Sequence, residues 1–129
     1  MILLDTHIVI WLAFEPDKLS KRAKEAIRAA RLEGGLAIAA ITLLELAWLA
    51  EKGRVETTLS VESFVRACAS KMTVLPITAE IAARAVGFPE TYPKDPQDRL
   101  IGATALVEGM ELVTHDRAIK KSGLVAVIW

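Results

Sequence analysis

Five acidic side chains punctuate the apolar segments of this chain: Asp5, Glu45, Asp95, Asp98 and Asp116. Asp5 ends the run Ile2-Leu3-Leu4, Glu45 follows Leu36 to Ile41, and Asp116 follows Leu112-Val113-Thr114. Asp95 and Asp98 stand at the head of an apolar helix-like stretch, Arg99 to Val107. If the apolar runs are neighbouring strands, carboxylates far apart in sequence meet on one edge of a sheet. Two unit charges about 4 Å apart repel by roughly 4 kcal/mol at an effective dielectric near 20. A group of three or four such acids therefore calls for a compensating cation. Hard divalent ions such as Mg²⁺ and Mn²⁺ take oxygen ligands, so the pattern points to metal-assisted chemistry.

Each acid also has a local reading. Thr42-Leu43-Leu44-Glu45 has the spacing of a capping box, with Glu45 reaching back to the Thr42 amide. Asp95 precedes Pro96 as a helix N-cap, with Asp98 in the first turn beside the positive helix end. Asp116 can cap the turn Arg117 to Lys120, and Asp5 the segment after it. Caps collect on the carboxyl edge of any parallel sheet, which is also where open α/β sheets bind ligands. Two acids at one helix start exceed what capping needs. No glycine-rich phosphate loop, nucleophilic Ser or Cys arrangement, or lysine-bearing site competes for that edge.

The elements that must position these acids follow from periodicity. Short apolar runs at Ile2 to Leu4, Leu36 to Ile41, Thr73 to Pro76, Leu112 to Thr114 and Val125 to Ile128 read as strands covered on both faces. Between them Ser20 to Glu33 carries Ala23, Ala26, Ile27 and Ala30 on one face, an amphipathic helix stopped by Gly34-Gly35. Further helices are expected over Thr42 to Lys52, Val61 to Lys71, Thr78 to Val86, and from Pro96 to just before Gly109. Gly87 to Pro96 holds three prolines and reads as loop. The alternation predicts an α/β fold with a mainly parallel sheet, one domain over residues 1–129.

Bulk composition narrows the classes. The 129 residues are 53% hydrophobic, which suits a packed core rather than disorder. Sixteen basic residues balance sixteen acidic ones, so nucleic-acid binding must rest on a local patch or on metal ions. The single cysteine, Cys68, excludes an internal disulfide and a thiolate zinc site, and its surroundings suit a small hydrophobe on a helix. The chain opens on a strand without a basic leader. Its most apolar stretch, Leu36 to Ala50, is too short to span a bilayer and contains Glu45. The expectation is a cytoplasmic protein without a membrane segment.

The ordered motifs are more specific. Asp95-Pro96-Gln97-Asp98-Arg99-Leu100-Ile101-Gly102-Ala103-Thr104-Ala105 resembles the DPxDRxIxAxA signature of PIN-domain ribonucleases, in the branch that contains the VapC toxins of toxin–antitoxin pairs. Leu3-Leu4-Asp5-Thr6 is similar to that family's opening strand and first acid, and Ile41-Thr42-Leu43-Leu44-Glu45 to its second. Leu112-Val113-Thr114-His115-Asp116 is similar to its T-x-[DN] motif. The resemblance covers essentially the whole chain. It implies a three-layer α/β/α sandwich whose acidic pocket holds one or two Mg²⁺ or Mn²⁺ ions. Carried over, Asp5, Glu45 and Asp98 are the principal catalytic and metal-binding acids, Asp116 completes the set, and Asp95 is auxiliary. Gln97 and Gly102 depart from the pattern, where an aromatic and an Ala or larger apolar residue are usual. Neither departure removes a carboxylate.

What the resemblance implies for function is hydrolysis of an RNA phosphodiester by metal-activated water, with no covalent intermediate. It implies a small antitoxin partner and a homodimer as well. Thr6 and Thr114 are the hydroxyls expected near metal-bound water or phosphate, and Lys94, Arg99 and Arg117 the expected RNA contacts, with Arg99 alternatively pairing with a carboxylate. His7 and His115 flank two acids, but a metal-bound water needs no histidine base. The six bases between Lys18 and Arg31 read mainly as a solvated face. Trp11, Trp48 and Phe14 are divided between core packing and an interface.

Other classes fit less well. A phosphoacceptor receiver domain wants an Asp after the third strand, and Val74 to Thr78 has none. A dehalogenase-type phosphatase wants Asp-x-Asp or Asp-x-Thr at the first strand, and Asp5-Thr6-His7 is neither. A housekeeping RNA-processing nuclease, or a PIN-like binding module without catalysis, remains the alternative.

Overall fold

The computed structural model describes all 129 residues. Five short strands, β1 (Ile2–Leu4), β2 (Leu36–Ala39), β3 (Met72–Leu75), β4 (Leu112–Val113) and β5 (Val127–Ile128), form one sheet in the order β3-β2-β1-β4-β5. Every pairing is parallel, with Leu3 opposite both Ala37 and Leu112. Seven helices connect them: α1 (Thr6–Phe14), α2 (Lys21–Leu32), α3 (Ala40–Glu51), α4 (Val61–Ala69), α5 (Ala79–Val86), α6 (Pro96–Val107) and α7 (Arg117–Ser122).

Alternation along the strands assigns each residue to one face or the other. On one face Ile2, Leu4, Leu36, Ile38 and Val113 pack with Ile8 and Val9 of α1, Ala23 and Ile27 of α2, Leu46 of α3 and Phe64 of α4. On the other, Leu3, Ala37, Ala39 and Leu112 pack with Ile81 of α5, Tyr92, Ile101 of α6 and Ile119 of α7. The expected α/β/α sandwich with its parallel sheet is present. β3 is the exception to full coverage: as an edge strand it leaves Thr73 and Val74 exposed.

The strand order fixes where a site can lie. From β1 the chain moves outward through β2 to β3, then returns across the sheet to β4 on the opposite side of β1. The crevice beyond the carboxyl ends of β1 and β4 is the point where that order reverses, the usual ligand position in open α/β sheets. Asp5 follows β1 directly, and Thr114 to Asp116 follow β4.

One boundary differs with consequences for the site. α3 begins at Ala40 rather than Thr42, and its N-cap Ala39 offers no side-chain hydrogen bond. Thr42 is thus inside the helix and fully buried, so the capping box does not form. Glu45 is left free to face the crevice. α2 is as expected, with a serine cap and its bases facing outward. Cys68 packs at the margin of the first core with its thiol pKa pushed up by burial, which suits a hydrophobe rather than a nucleophile. No helix is long and apolar enough to cross a membrane.

Candidate active site

Asp5 is 4% exposed and is the N-cap of α1. One carboxylate oxygen accepts from the Thr6 amide at 2.8 Å, and the other from the Thr114 hydroxyl at 2.7 Å. The Thr114 hydroxyl in turn accepts from the Asp116 amide at 3.1 Å. A single hydroxyl thus ties the carboxyl end of β4 to the acid at the end of β1. Burying a carboxylate requires such partners, and they lock its rotamer.

Glu45 is held by a second threonine relay. The Thr6 hydroxyl donates to Glu45 Oε1 at 2.6 Å and lies 3.0 Å from the Thr42 hydroxyl. Since the Thr6 proton goes to the carboxylate, Thr42 donates to Thr6. Burial raises the Glu45 pKa, the Thr6 hydrogen bond opposes that, and the charges of Asp5 and Asp95 add to the rise.

Asp98 sits on the third residue of α6, behind the N-cap Asp95 and Pro96. Its carboxyl is half-buried and is pushed up to about 7, first by burial and then by Asp5, Asp95, Asp116 and Glu45. Four other acids acting on one group is the electrostatic signature of a shared site. Below it, the buried Tyr92 hydroxyl donates to the Asp98 main-chain carbonyl at 3.1 Å. Burial and nearby carboxylates push that phenol up, so it stays a donor. Gly102 explains itself here, because a Cβ at this position would fall on the Tyr92 hydroxyl, 2.6 Å from its Cζ.

Asp5, Thr6, Glu45 and Asp98 line one cavity of about 620 Å³, together with His7, Ile10, Trp48, Leu49, Lys52, Arg54, Val55 and Gln97. Asp95 and Asp116 do not line it. Asp95 caps α6 through the Gln97 amide at 2.8 Å, and Asp116 caps α7 with one oxygen at 2.8 and 3.1 Å from the amides of Ala118 and Ile119. Asp116 keeps its second oxygen free of such bonds and acts on the site through its charge and through Thr114. Asp5, Asp95 and Asp116 are all helix caps, and of the three only Asp5 also lines the cavity. Asp98 makes no side-chain cap bond, and Glu45 caps nothing.

The donor set is all oxygen, as hard divalent ions prefer. No three His, Cys, Asp or Glu side chains close on one point, so the protein does not supply a complete ligand cage. Mg²⁺ keeps several waters and is usually bound by one or two carboxylates plus substrate phosphate. Asp5 and Asp98, with Glu45 beside them, fit that requirement.

Several expected contacts have other uses. Thr6 and Thr114 give their protons to Glu45 and Asp5, and so orient the acids. Arg99 does not pair with a carboxylate. Its guanidinium donates to the carbonyls of Pro93 at 3.0 Å, Ala85 at 3.3 Å, Phe88 at 2.8 Å and Pro89 at 3.2 Å, which pins the loop between α5 and α6. Lys94 and Arg117 are exposed and make no ion pair. His7 Nε2 accepts from the His115 amide at 3.3 Å, and its Nδ1 lies 3.6 Å from Asp5 Oδ2. Burial pulls the His7 pKa down, ahead of the opposing Asp5 charge. Trp11 packs against His7, His115 and Trp129 with centroids 5.0, 5.6 and 5.8 Å away, while Trp48 is 50% exposed.

Lys52 and Arg54 went unnoticed in the sequence because they are flanked by Glu51 and Glu56. Their signal is that Lys52 lies seven residues beyond Glu45, two helical turns along the same face of α3.

Comparison with known proteins fits this arrangement. The model of the PIN domain matches residues 2–123. Over 119 residues the chain is 44% identical to Ribonuclease VapC22 of Mycobacterium tuberculosis, spanning 92% of this chain and 89% of that protein. A chain of a toxin–antitoxin complex from Klebsiella pneumoniae superposes with a TM-score of 0.62 at 28% identity, covering 90% of this chain and 87% of the other. A chain of VapBC2 from Rickettsia felis, bound to a promoter DNA fragment, gives 0.75 at 17% identity over 98% and 97%, a likeness of fold.

Proposed function

This chain belongs to the PIN-domain family, and from that premise we propose that it is a metal-dependent ribonuclease of the VapC toxin kind. The observation that carries the reading is the cavity at the carboxyl end of β1 that Asp5, Glu45 and Asp98 share, where burial, and then the charges of Asp5, Asp95, Asp116 and Glu45, push the Asp98 carboxyl up to about 7. Residues 1–129 act as one PIN-like unit. Asp5 and Asp98, with Glu45 beside them, would hold one or two Mg²⁺ or Mn²⁺ ions, and Asp116 would complete the negative field. Bound there, a divalent ion would acidify a water and neutralise charge on the scissile phosphate.

The chain's own residues supply position and exclusion. Asp5 is immobilised by two hydrogen bonds, Glu45 by the Thr6–Thr42 relay, and the α6 start by Tyr92. Pre-set ligands raise rates because the bound geometry needs no reorganisation. Water is the attacking group in this reading, with no covalent intermediate, and the Thr6 hydroxyl serves to hold Glu45. Lys94 and Arg117 are the outer phosphate contacts in this reading. The VapBC and toxin–antitoxin complexes among the structural relatives support a small antitoxin that neutralises the enzyme, and we extend the reading to a homodimer working in the cytoplasm.

Replacing Asp5 or Asp98 by Asn should abolish RNA cleavage with the circular dichroism spectrum unchanged. Calorimetric titration with Mn²⁺ should show binding to the wild type that both variants weaken. Full cleavage by both variants would sink the assignment. Mn²⁺ binding without RNA cleavage would favour a PIN-like module that binds RNA or protein without catalysis.

A further inference from the structure

The cavity that contains the acids does not end with them. Glu45, Trp48 and Leu49 lie at i, i+3 and i+4 on α3 and Lys52, its C-cap, follows at i+7, so one face carries a carboxylate, an indole, a leucine and an ammonium in line. The span from Glu45 to Lys52 is about 10 Å along the axis. α3 then stops: Gly53 takes φ +65°, and the Arg54 amide bonds the Leu49 carbonyl at 2.9 Å, turning Arg54 back toward the same cavity. Neither Lys52 nor Arg54 makes an ion pair with any acid of the chain, and both are exposed. Trp48 is half exposed, with the Lys52 ammonium 5.2 Å from its ring centroid. A large aromatic left open beside two unpaired cations, in a wall continuous with a negative catalytic pocket, has a specific chemical use.

We propose that Trp48, Lys52 and Arg54 form a subsite for the unpaired nucleotide next to the scissile phosphate, with a base stacked on Trp48 and a neighbouring phosphate held by Arg54 and Lys52. The inference deepens the ribonuclease reading and rests on it. Aromatic stacking with a basic track is how proteins hold single strands without reading sequence. The geometry also selects against duplex, whose bases are stacked on one another and whose A-form grooves do not offer them to a side chain. In a chain of zero net charge this local track supplies the attraction that bulk charge does not.

The test uses the full chain carrying Asp5→Asn, which keeps RNA uncut. Anisotropy is read for a short fluorescein-labelled single-stranded RNA of mixed sequence and for its blunt duplex, over a range of salt. Adding Trp48→Ala should weaken single-strand binding about ten-fold or more. Trp48→Phe should restore most of it, and duplex affinity should not respond. Arg54→Gln should reduce the slope of log affinity against log salt by about 0.7. Unchanged affinity with Trp48→Ala and unchanged slope with Arg54→Gln overturn the proposal, as does absence of single-strand binding in the parent. A change of oligomeric state in Trp48→Ala with RNA affinity intact makes this face a protein contact and overturns it too. Cleavage is measured separately with Asp5 restored: loss of the subsite signature in an active nuclease sinks only the subsite, while the signature in a protein that cuts no RNA sinks only the ribonuclease reading.

Discussion

Gly102→Ala sets two well-characterised effects against each other with opposite signs. Gly102 lies inside α6, where replacing glycine by alanine should stabilise by about 0.8–1.0 kcal/mol from helix propensity alone. The structure reverses that expectation. The new Cβ would fall on the Tyr92 hydroxyl, 2.6 Å from Tyr92 Cζ and 3.1 Å from Phe88 Cε2. Tyr92 is 1% exposed and packs on Phe88 with ring centroids 4.7 Å apart, so the ring has no empty space to enter. Overpacking of this kind costs about 1–3 kcal/mol. Moving the phenol also breaks its bond to the Asp98 carbonyl, worth about 1 kcal/mol. The net loss is about 1–3 kcal/mol. For a chain of this length that lowers Tm by about 4–12 °C, taking the usual entropy of unfolding per residue. Scanning calorimetry and urea midpoints measure it. A double-mutant cycle with Tyr92→Leu, which vacates the space, should show a coupling of about 1–2 kcal/mol between the two positions. If Gly102→Ala instead raises Tm by about 3–4 °C, propensity is unopposed and the Tyr92 interlock is wrong.

Other outcomes follow from the same contacts. Arg99→Met removes four carbonyl contacts and should destabilise by about 2–3 kcal/mol, while the salt slope of RNA binding stays unchanged; a slope reduced by about 0.7 would return Arg99 to the phosphate contacts. In ion-free buffer the Asp98 carboxyl keeps its proton to about pH 7 in the fold but only to its ordinary 3.8 when unfolded, so it stabilises the acid side and that contribution fades as pH rises through 7. Asp98→Asn, which does not titrate, should therefore exceed the wild type in Tm at pH 8, with the gap closing toward pH 4; a pH-independent gap refutes the shift. Thr6→Val removes the hydrogen bond that holds the Glu45 pKa down, so the acid limb of the cleavage profile should move to higher pH, and an unmoved limb would show that Thr6 does not tune Glu45.

Local chemistry was legible where the deciding forces are local. Strand hydrophobicity, the 3.6-residue stripe of α2, Pro96 at the head of α6 and the asparagine-free, glycine-marked helix ends all announce themselves within a few residues. So do the acids after β1 and β4, because a parallel sheet forces its strand ends and helix starts onto one edge. The sequence alone therefore determined a parallel α/β fold and put carboxylates on its working edge. It could not decide which acids act beyond their caps. The capping box at Thr42 was a sound local reading, yet the buried Thr42 hydroxyl bonds Thr6 of another helix, and α3 starts two residues earlier. Arg99 went to carbonyls rather than to a carboxylate because the folded loop presents four of them within its reach. Lys52 and Arg54 joined the acid cavity only when α3 lay across the end of β1. Charge and hydrogen-bond partners are settled by distance in space. Tertiary packing alone fixes that distance.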